Sequence, residues 1–429
     1  MRRFVSLLLA ACFFYLFSFA QNKREDIYSD FVLYQKRISL EKDLRERVVA
    51  KAFSLQLDSN SEYKFANACD AVTEFLITNV NVEKGFLKLF SYYDTLEYDT
   101  KKNFLEALYA AYPNIYKRNV QSIIEKENDA KLFSICAAYL YRCDSSINNS
   151  NALKIKMVEK FSGYDTIPVL QELEKYLTNQ NSFAHQKPPD FIQLFKYQKT
   201  TGKKIIYSFQ RHNRDYPGIA IVQNADGSFV KNADGRLAVF EQLARSGSNL
   251  PYFITNGNTP QGIYSILGTA VSHNNFIGPT PNLQLIIPFE NKWGKYFQQD
   301  WNPPQDSLLL YKNLLPPNWR NYEPMMEAWD AGKIGRTAII AHGSTIDPEY
   351  FKDKPFYPLT PSQGCLTAKE LWNVTSGRLL VSEQFNLVSA FLSTQGNKGY
   401  LYVINIDNQQ KAVSREEIEI WFRKFEASK

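Results

Sequence analysis

Thr337-Ala338-Ile339-Ile340-Ala341-His342-Gly343, followed by Pro361-Ser362-Gln363-Gly364-Cys365-Leu366-Thr367, is the one stretch of the chain that joins a nucleophile to a base. The apolar run 338–341 reads as a buried strand that delivers His342 at its end. Gly364 can take a backbone conformation closed to other residues, so the N–H groups of Gly364 and Cys365 can converge on one oxygen. Beyond the cysteine, residues 368–372 (Ala-Lys-Glu-Leu-Trp) read as a helix. A helix N-terminus and a nearby imidazolium would both lower the thiol pKa. The chemistry this predicts is acyl transfer through a thioester, with the imidazole of His342 moving the protons.

The surrounding texture is β. Residues 205–209, 218–223, 252–255, 263–267, 283–288, 337–341, 379–381 and 400–406 read as strands. Asn224-Ala225-Asp226-Gly227 and Asn232-Ala233-Asp234-Gly235 carry the Asp-Gly hairpin signal. They lack the alternating carboxylates and terminal Glu of an EF-hand loop, so turns are the expectation rather than calcium. Residues 291–335 hold Trp293, Trp301, Trp319 and Trp329 with a helix expected over 322–331, a length that suits a lid or substrate wall as well as simple packing. Ser414 and Glu417 stand at capping-box spacing ahead of a closing helix.

Upstream the period changes. Phe65, Cys69, Val72 and Leu76 line one helical face, as do Phe104, Leu108 and Ala111, and Leu132, Cys136, Tyr139 and Cys143. Helices of this kind predict a helical-hairpin array without a fixed repeat period. The expected architecture is α+β and multidomain: a signal peptide over 1–20, a helical domain over 21–185, a linker over 186–203, a mostly β catalytic domain over 204–412 and a C-terminal helix over 413–429. The helices carry no catalytic pattern, and a recognition or spacer role, with a protein partner among their expected uses, is the reading.

Arg2 and Arg3 precede an apolar run over 4–19, and charge returns at Lys23, Arg24, Glu25 and Asp26. This is the pattern of a secretory signal, and the run is short for a membrane span. Cys12 in Leu9-Ala10-Ala11-Cys12 mimics a lipidation box, but the aromatic residues that follow would make a poor mature terminus. Export to the periplasm or cell envelope is expected. The formal charge of +6 includes the two signal arginines and no dense basic cluster, which argues against nucleic acid. Cys69, Cys136 and Cys143 are expected as small buried apolar residues rather than a disulfide framework, the alternative being one bridge from Cys69 to either of the other two. His185, His212, His273 and His342 are too scattered for a metal site, and no cofactor is implied. His273 is the competing base, and no pattern surrounds it.

His-Gly followed by Ser-x-Gly-Cys-aliphatic, with the cysteine 23 residues after the histidine, resembles the signature of the L,D-transpeptidase (YkuD-like) catalytic domain. Thr259-Pro260-Gln261-Gly262-Ile263-Tyr264 is similar to that family's Thr-Pro-x-Gly-x-aromatic strand. The resemblance spans roughly residues 204–406. It implies Cys365 as nucleophile, His342 as base, an oxyanion hole from Gly364 and Cys365 N–H, and Ser362 as a supporting hydrogen bonder. Gly343, Gln363, Thr367, Tyr264 and Arg336 would lie on the substrate side. The implied substrates are peptidoglycan stem peptides, cut with release of D-alanine and transfer of the acyl group to an amine. Two positions depart from the pattern: Thr367 stands where the family has Arg, and Gln363 where a ring is usual. Arg336 or Arg378 is the expected substitute charge. The alternatives are an L,D-carboxypeptidase or amidase using the same site, or a catalytically silent wall-binding protein; the surroundings of Cys365 do not suit a papain-like protease.

Overall fold

A computed structural model describes residues 23–183, 186–301 and 305–428. The expected signal and His185 lie outside the described residues. Among the described residues no helix is long and apolar enough to cross a membrane.

A helical region comes first and a mostly β region follows, so the α+β class holds. The Glu62–Phe75 helix buries Phe65, Cys69 and Val72 and ends where Leu76 turns left-handed at φ 49°. Asp129 caps the Ala130–Cys143 helix by accepting from Lys131 and Leu132 N–H, and that helix is buried on most of its circumference. Alternate helices stack: Glu62–Phe75 on Tyr98–Ala111, that on Ala130–Cys143, and that on Pro168–Phe183. Cys69, Cys136 and Cys143 are free, and the first two are fully buried.

The β region closes into a barrel. Its strands are β1 (Lys204–Arg211), β2 (Gly218–Gln223), β3 (Phe240–Leu243), β4 (Gly262–Ala270), β5 (Asn282–Ile286), β6 (Ala341–His342), β7 (Leu366–Ala368) and β10 (Gly399–Asp407). The order around the barrel is β1-β10-β4-β5-β6-β7-β3-β2, and β8 (Glu370–Trp372) and β9 (Leu379–Ser382) form a separate hairpin. The pairs β1–β10 and β6–β7 are parallel. Side chains alternate between two cores. One holds Ile206, Ala220, Tyr264, Leu285, Ala341 and Leu366 with the Glu383–Leu392 helix. The other holds Ile205, Tyr207, Phe209, Tyr400 and Tyr402 under the Trp-rich segment and the C-terminal helix. That helix, Arg415–Glu426, has the expected Ser414–Glu417 capping box. Both Asp-Gly segments are turns, with Asp226 and Asp234 accepting from Ser228 and Arg236 N–H rather than standing free for a cation.

Several expectations need correction. Residues 186–203 are not a linker: Asp190 caps a helix, Phe191–Thr201, that ends at Gly202 with φ 59°. Phe191, Leu194 and Phe195 follow helical spacing and pack on Tyr207 and Phe425. The 252–255 segment is turn rather than strand, and 337–340 is irregular ahead of the short β6. The expected helix over 368–372 is instead β7 and β8, because Ala368 pairs with Gln242 and Glu370 with Ser382. Tertiary pairing overrides the helical preference of Ala-Lys-Glu-Leu. The Trp-rich segment is largely packing, with Trp319 fully buried and Trp293 stacked on Trp329 at 5.5 Å.

The helical region and the barrel share one core. Leu243, Leu250, Phe253, Ile254, Ile346, Phe351, Phe356 and Leu359 join the cluster built on Phe65, Phe104 and Phe133. Each such buried side chain contributes about 2 kcal/mol. The connection between His342 and Cys365 is part of this contact: the Phe75 and Tyr350 rings lie 4.8 Å apart, and Arg37 pairs with Asp347 at 3.0 Å.

Candidate active site

Parallel pairing brings the two halves of the motif together. Ala341 faces Leu366 and His342 faces Thr367, and Leu366 N–H donates to Ile340 C=O at 3.0 Å. Since Ala341 and Leu366 both turn into one core, the period of two directs His342 and Thr367 to the other face. Cys365 directly precedes β7, two residues before Thr367, the partner of His342.

The thiol sits in a cradle of backbone. Ile340 N–H donates to Sγ at 3.4 Å, and Sγ is 3.5 Å from the Ala338 carbonyl, to which it donates. Ala338 is held at φ 60° while its N–H donates to Glu290 Oε1 at 2.8 Å. Among the described residues no hydrogen bond joins His342 to Cys365. The imidazole is oriented instead by the next carbonyl, with Nδ1 2.5 Å from Gly343 O. A carbonyl only accepts, so Nδ1 carries the proton and Nε2 is left as the basic nitrogen.

Burial dominates the electrostatics. It lowers His342 to about 4, against a small opposing effect of the Gly343 carbonyl. It raises the Cys365 thiol, opposed by the Ile340 N–H, Ser362 and the Arg336 charge. The expected depressed thiol is therefore overturned: no helix begins after Cys365, and the imidazole is neutral near pH 7. Thiol and base rest as a neutral pair.

The oxyanion hole also changes. Gly364 does adopt a left-handed conformation, at φ 103°, but Cys365 N–H donates to Ser362 Oγ at 2.9 Å. Ser362 thus ties up one of the two expected donors, and its own hydroxyl reaches Cys365 C=O at 3.2 Å. Among the described residues the N–H of Gly364, a buried residue, has no acceptor. Thr259, from the second motif, donates to Gly364 C=O at 3.0 Å and so fixes that peptide.

The remaining residues divide sharply. Gln363 is exposed at the tip of the cysteine loop, where Asp70 and Glu74 of the Glu62–Phe75 helix come close. Thr367 is buried and donates to Thr360 C=O at 2.7 Å, so it offers nothing in place of an arginine. Tyr264 is fully buried, its hydroxyl donating to Pro260 C=O at 2.7 Å, and it is not a substrate contact. Arg336 does lie under the cysteine loop. Its guanidinium is committed to the carbonyls of Tyr252, of Asn258 at 2.8 Å and of Gly257 at 3.0 Å, which makes it a support for the 252–258 turn rather than a substrate ligand. Arg378 is far from this chemistry, bonded to the carbonyls of Glu25 and Asp26. His273 is exposed in a loop.

No protein-family model, curated protein or solved structure matches this chain.

Two supporting residues escaped the sequence reading. Glu370 is buried and accepts from Ser344 N–H at 2.9 Å and from the Ser382 hydroxyl at 2.6 Å. A Cβ on Gly343 would fall 2.2 Å from the Glu370 carboxyl carbon, so the glycine of His-Gly is required by this approach. Glu290 holds the strained Ala338 against the thiol, as described above. Neither has a local sequence signal, since each acts on a segment more than 20 residues away in the chain. Among the described residues no cluster of His, Cys, Asp and Glu is arranged to hold a metal ion.

Proposed function

We propose that this chain is an exported cysteine acyltransferase of the L,D-transpeptidase type, acting on peptidoglycan stem peptides through a thioester. The observation that carries this reading is that β6 ends on His342, its Nδ1–H tied to the Gly343 carbonyl, while the parallel strand β7 beside it begins directly after Cys365. The assignment of the β region to a YkuD-like domain belongs to the same proposal and is supported by Thr259, whose motif enters β4 while its hydroxyl bonds the cysteine loop.

In this mechanism Nε2 of His342 takes the thiol proton as Sγ adds to the substrate carbonyl carbon, and Gly364 N–H receives the oxyanion. The C–N bond then breaks, the imidazolium returns the proton to the leaving amine, and a thioester remains. An acceptor amine attacks that thioester, gives its proton to Nε2, and the C–S bond breaks to restore the thiol. Water in place of the amine gives the carboxypeptidase outcome. Thr367, turned inward to Thr360, favours keeping that second reading, because no cation stands where the family holds its donor substrate. The helical region, docked on the connection between base and nucleophile, would position or recruit the enzyme in the cell envelope.

The test is incubation of the purified protein with muropeptides, beside Cys365→Ala, with products read by mass spectrometry. Cross-linked dimers support transfer and trimmed monomers support hydrolysis. Unchanged muropeptides with both proteins sink the enzyme reading and leave the wall-binding one.

A further inference from the structure

Between the helical region and the barrel lies a cavity of about 440 Å³ that Cys365 does not line. Its wall includes Glu172 of the Pro168–Phe183 helix, Arg214 between β1 and β2, Thr259, Glu327 and Asn405. That volume is in the range of small-molecule sites.

Arg214 and Glu327 carry opposite charges on this wall and feel each other's field, but among the described residues no ion-pair contact joins them. Arg214 is only 6% exposed. It donates from Nη1 to Arg211 C=O at 3.1 Å and to the Asn405 side-chain oxygen, and from Nη2 to Thr259 C=O at 3.1 Å. All three acceptors are neutral, and among the described residues no carboxylate lies within ion-pair distance of this guanidinium. Glu327 accepts from Gln261 N–H and Nε2–H, both at 2.8 Å, and again both partners are neutral. Glu172 differs, since Lys175 at 2.6 Å and the Tyr252 hydroxyl already satisfy it. Two groups of opposite sign, each held on this wall by neutral hydrogen-bond partners and sharing it with Lys175, Glu323 and Asp330, have the outline of a site for a ligand bearing both charges.

We propose that this cavity binds a small zwitterion, an amino acid or a short peptide with both ends free, its carboxylate on Arg214 and its ammonium on Glu327. Arg supplies the planar donor fork that carboxylates favour. Burial raises the Glu327 carboxyl to about 7, a direction that an incoming ammonium would reverse. The site is distinct from the thiol and does not rest on the acyl-transfer reading. It is nevertheless one residue removed from the cysteine loop, because Thr259 accepts from Arg214 with its carbonyl and donates to Gly364 with its hydroxyl.

The test is calorimetric titration of the Cys365→Ala protein, which cannot turn substrate over, with alanyl-alanine in its L,L and D,D forms. The N-acetylated and C-amidated dipeptides are the controls. At least one free dipeptide should bind, and each capped form should bind about tenfold more weakly or worse. In Glu327→Gln on the same background the penalty for N-acetylation should vanish while the penalty for amidation remains. No binding of either free dipeptide up to about 10 mM overturns the proposal. So does equal affinity for free and capped forms, or an acetylation penalty that survives in Glu327→Gln.

Discussion

With the thiol raised by burial and His342 held at about 4, neither partner is charged in the resting site. Proton transfer then has to accompany attack on a carbonyl rather than precede it. Cys365 should therefore label with iodoacetamide as a thiol of higher than ordinary pKa, and His342→Ala should leave that profile almost unmoved. Turnover in His342→Ala should nonetheless fall by about 10²–10⁴, the usual weight of a lost general base. A reactive thiolate at pH 6 would contradict the neutral pair. Ser362→Ala tests the tied-up N–H: it frees the Cys365 N–H to face a substrate oxygen but loosens the loop, and turnover should fall by about tenfold while the labelling profile moves to higher pH, because Ser362 opposes the rise of the thiol pKa. At this scale the sequence carried a residue pattern and was silent on charge state. Cys365, His342 and Gly364 are local in the chain and carry a pattern. The burial that sets the pKa values of Cys365 and His342 comes from residues far away in the chain, which no local pattern reports.

At the scale of elements, the site depends on two unusual local geometries. Ala338 sits in the left-handed region, which costs a non-glycine residue about 1 kcal/mol. Ala338→Gly should raise the unfolding free energy by up to about 1 kcal/mol in urea titration while lowering thiol turnover, since the same strain holds the carbonyl at Sγ. A fall in stability would show that Ala338 is not strained. Gly343→Ala should do the opposite, destabilising the protein and cutting activity together, because its Cβ collides with Glu370. The strands with strict alternation and the capped closing helix were readable from spacing alone, as were the two Asp-Gly turns. The 191–201 helix was hidden by the prolines before it, although Phe191, Leu194 and Phe195 carried its period. The 368–372 strands were not readable, because their pairing partners, Gln242 and Ser382, decide them.

For the whole molecule, buried titratable groups make stability depend on pH in two opposed senses. Glu74, Glu327 and Glu370 are raised to about 7 by burial, and Asp330 to about 6. Their neutral forms fit the fold, so their contribution is complete below about pH 4 and is lost as pH rises toward 7. His342, lowered to about 4, contributes stability above about pH 6.5 that is lost as pH falls toward 4. Several carboxyls outweigh one imidazole, so the melting temperature should be higher at pH 5 than at pH 7.5. His342→Gln should gain on the parent protein as the pH drops below 6.5. A melting temperature that climbs steadily to pH 7.5 would contradict the burial of these acids.

Because Phe253, Phe351 and Phe356 complete a cluster begun by Phe65 and Phe104, helices and barrel share one hydrophobic core beside the cavity that Arg214 lines. Calorimetry should record one transition, and a chain begun at Lys204 should expose enough apolar surface to aggregate. What reads on paper as two modules joined end to end thus behaves as a single cooperative body. The helices cannot be lost, exchanged or grafted elsewhere without the loop between base and nucleophile losing its anchor as well.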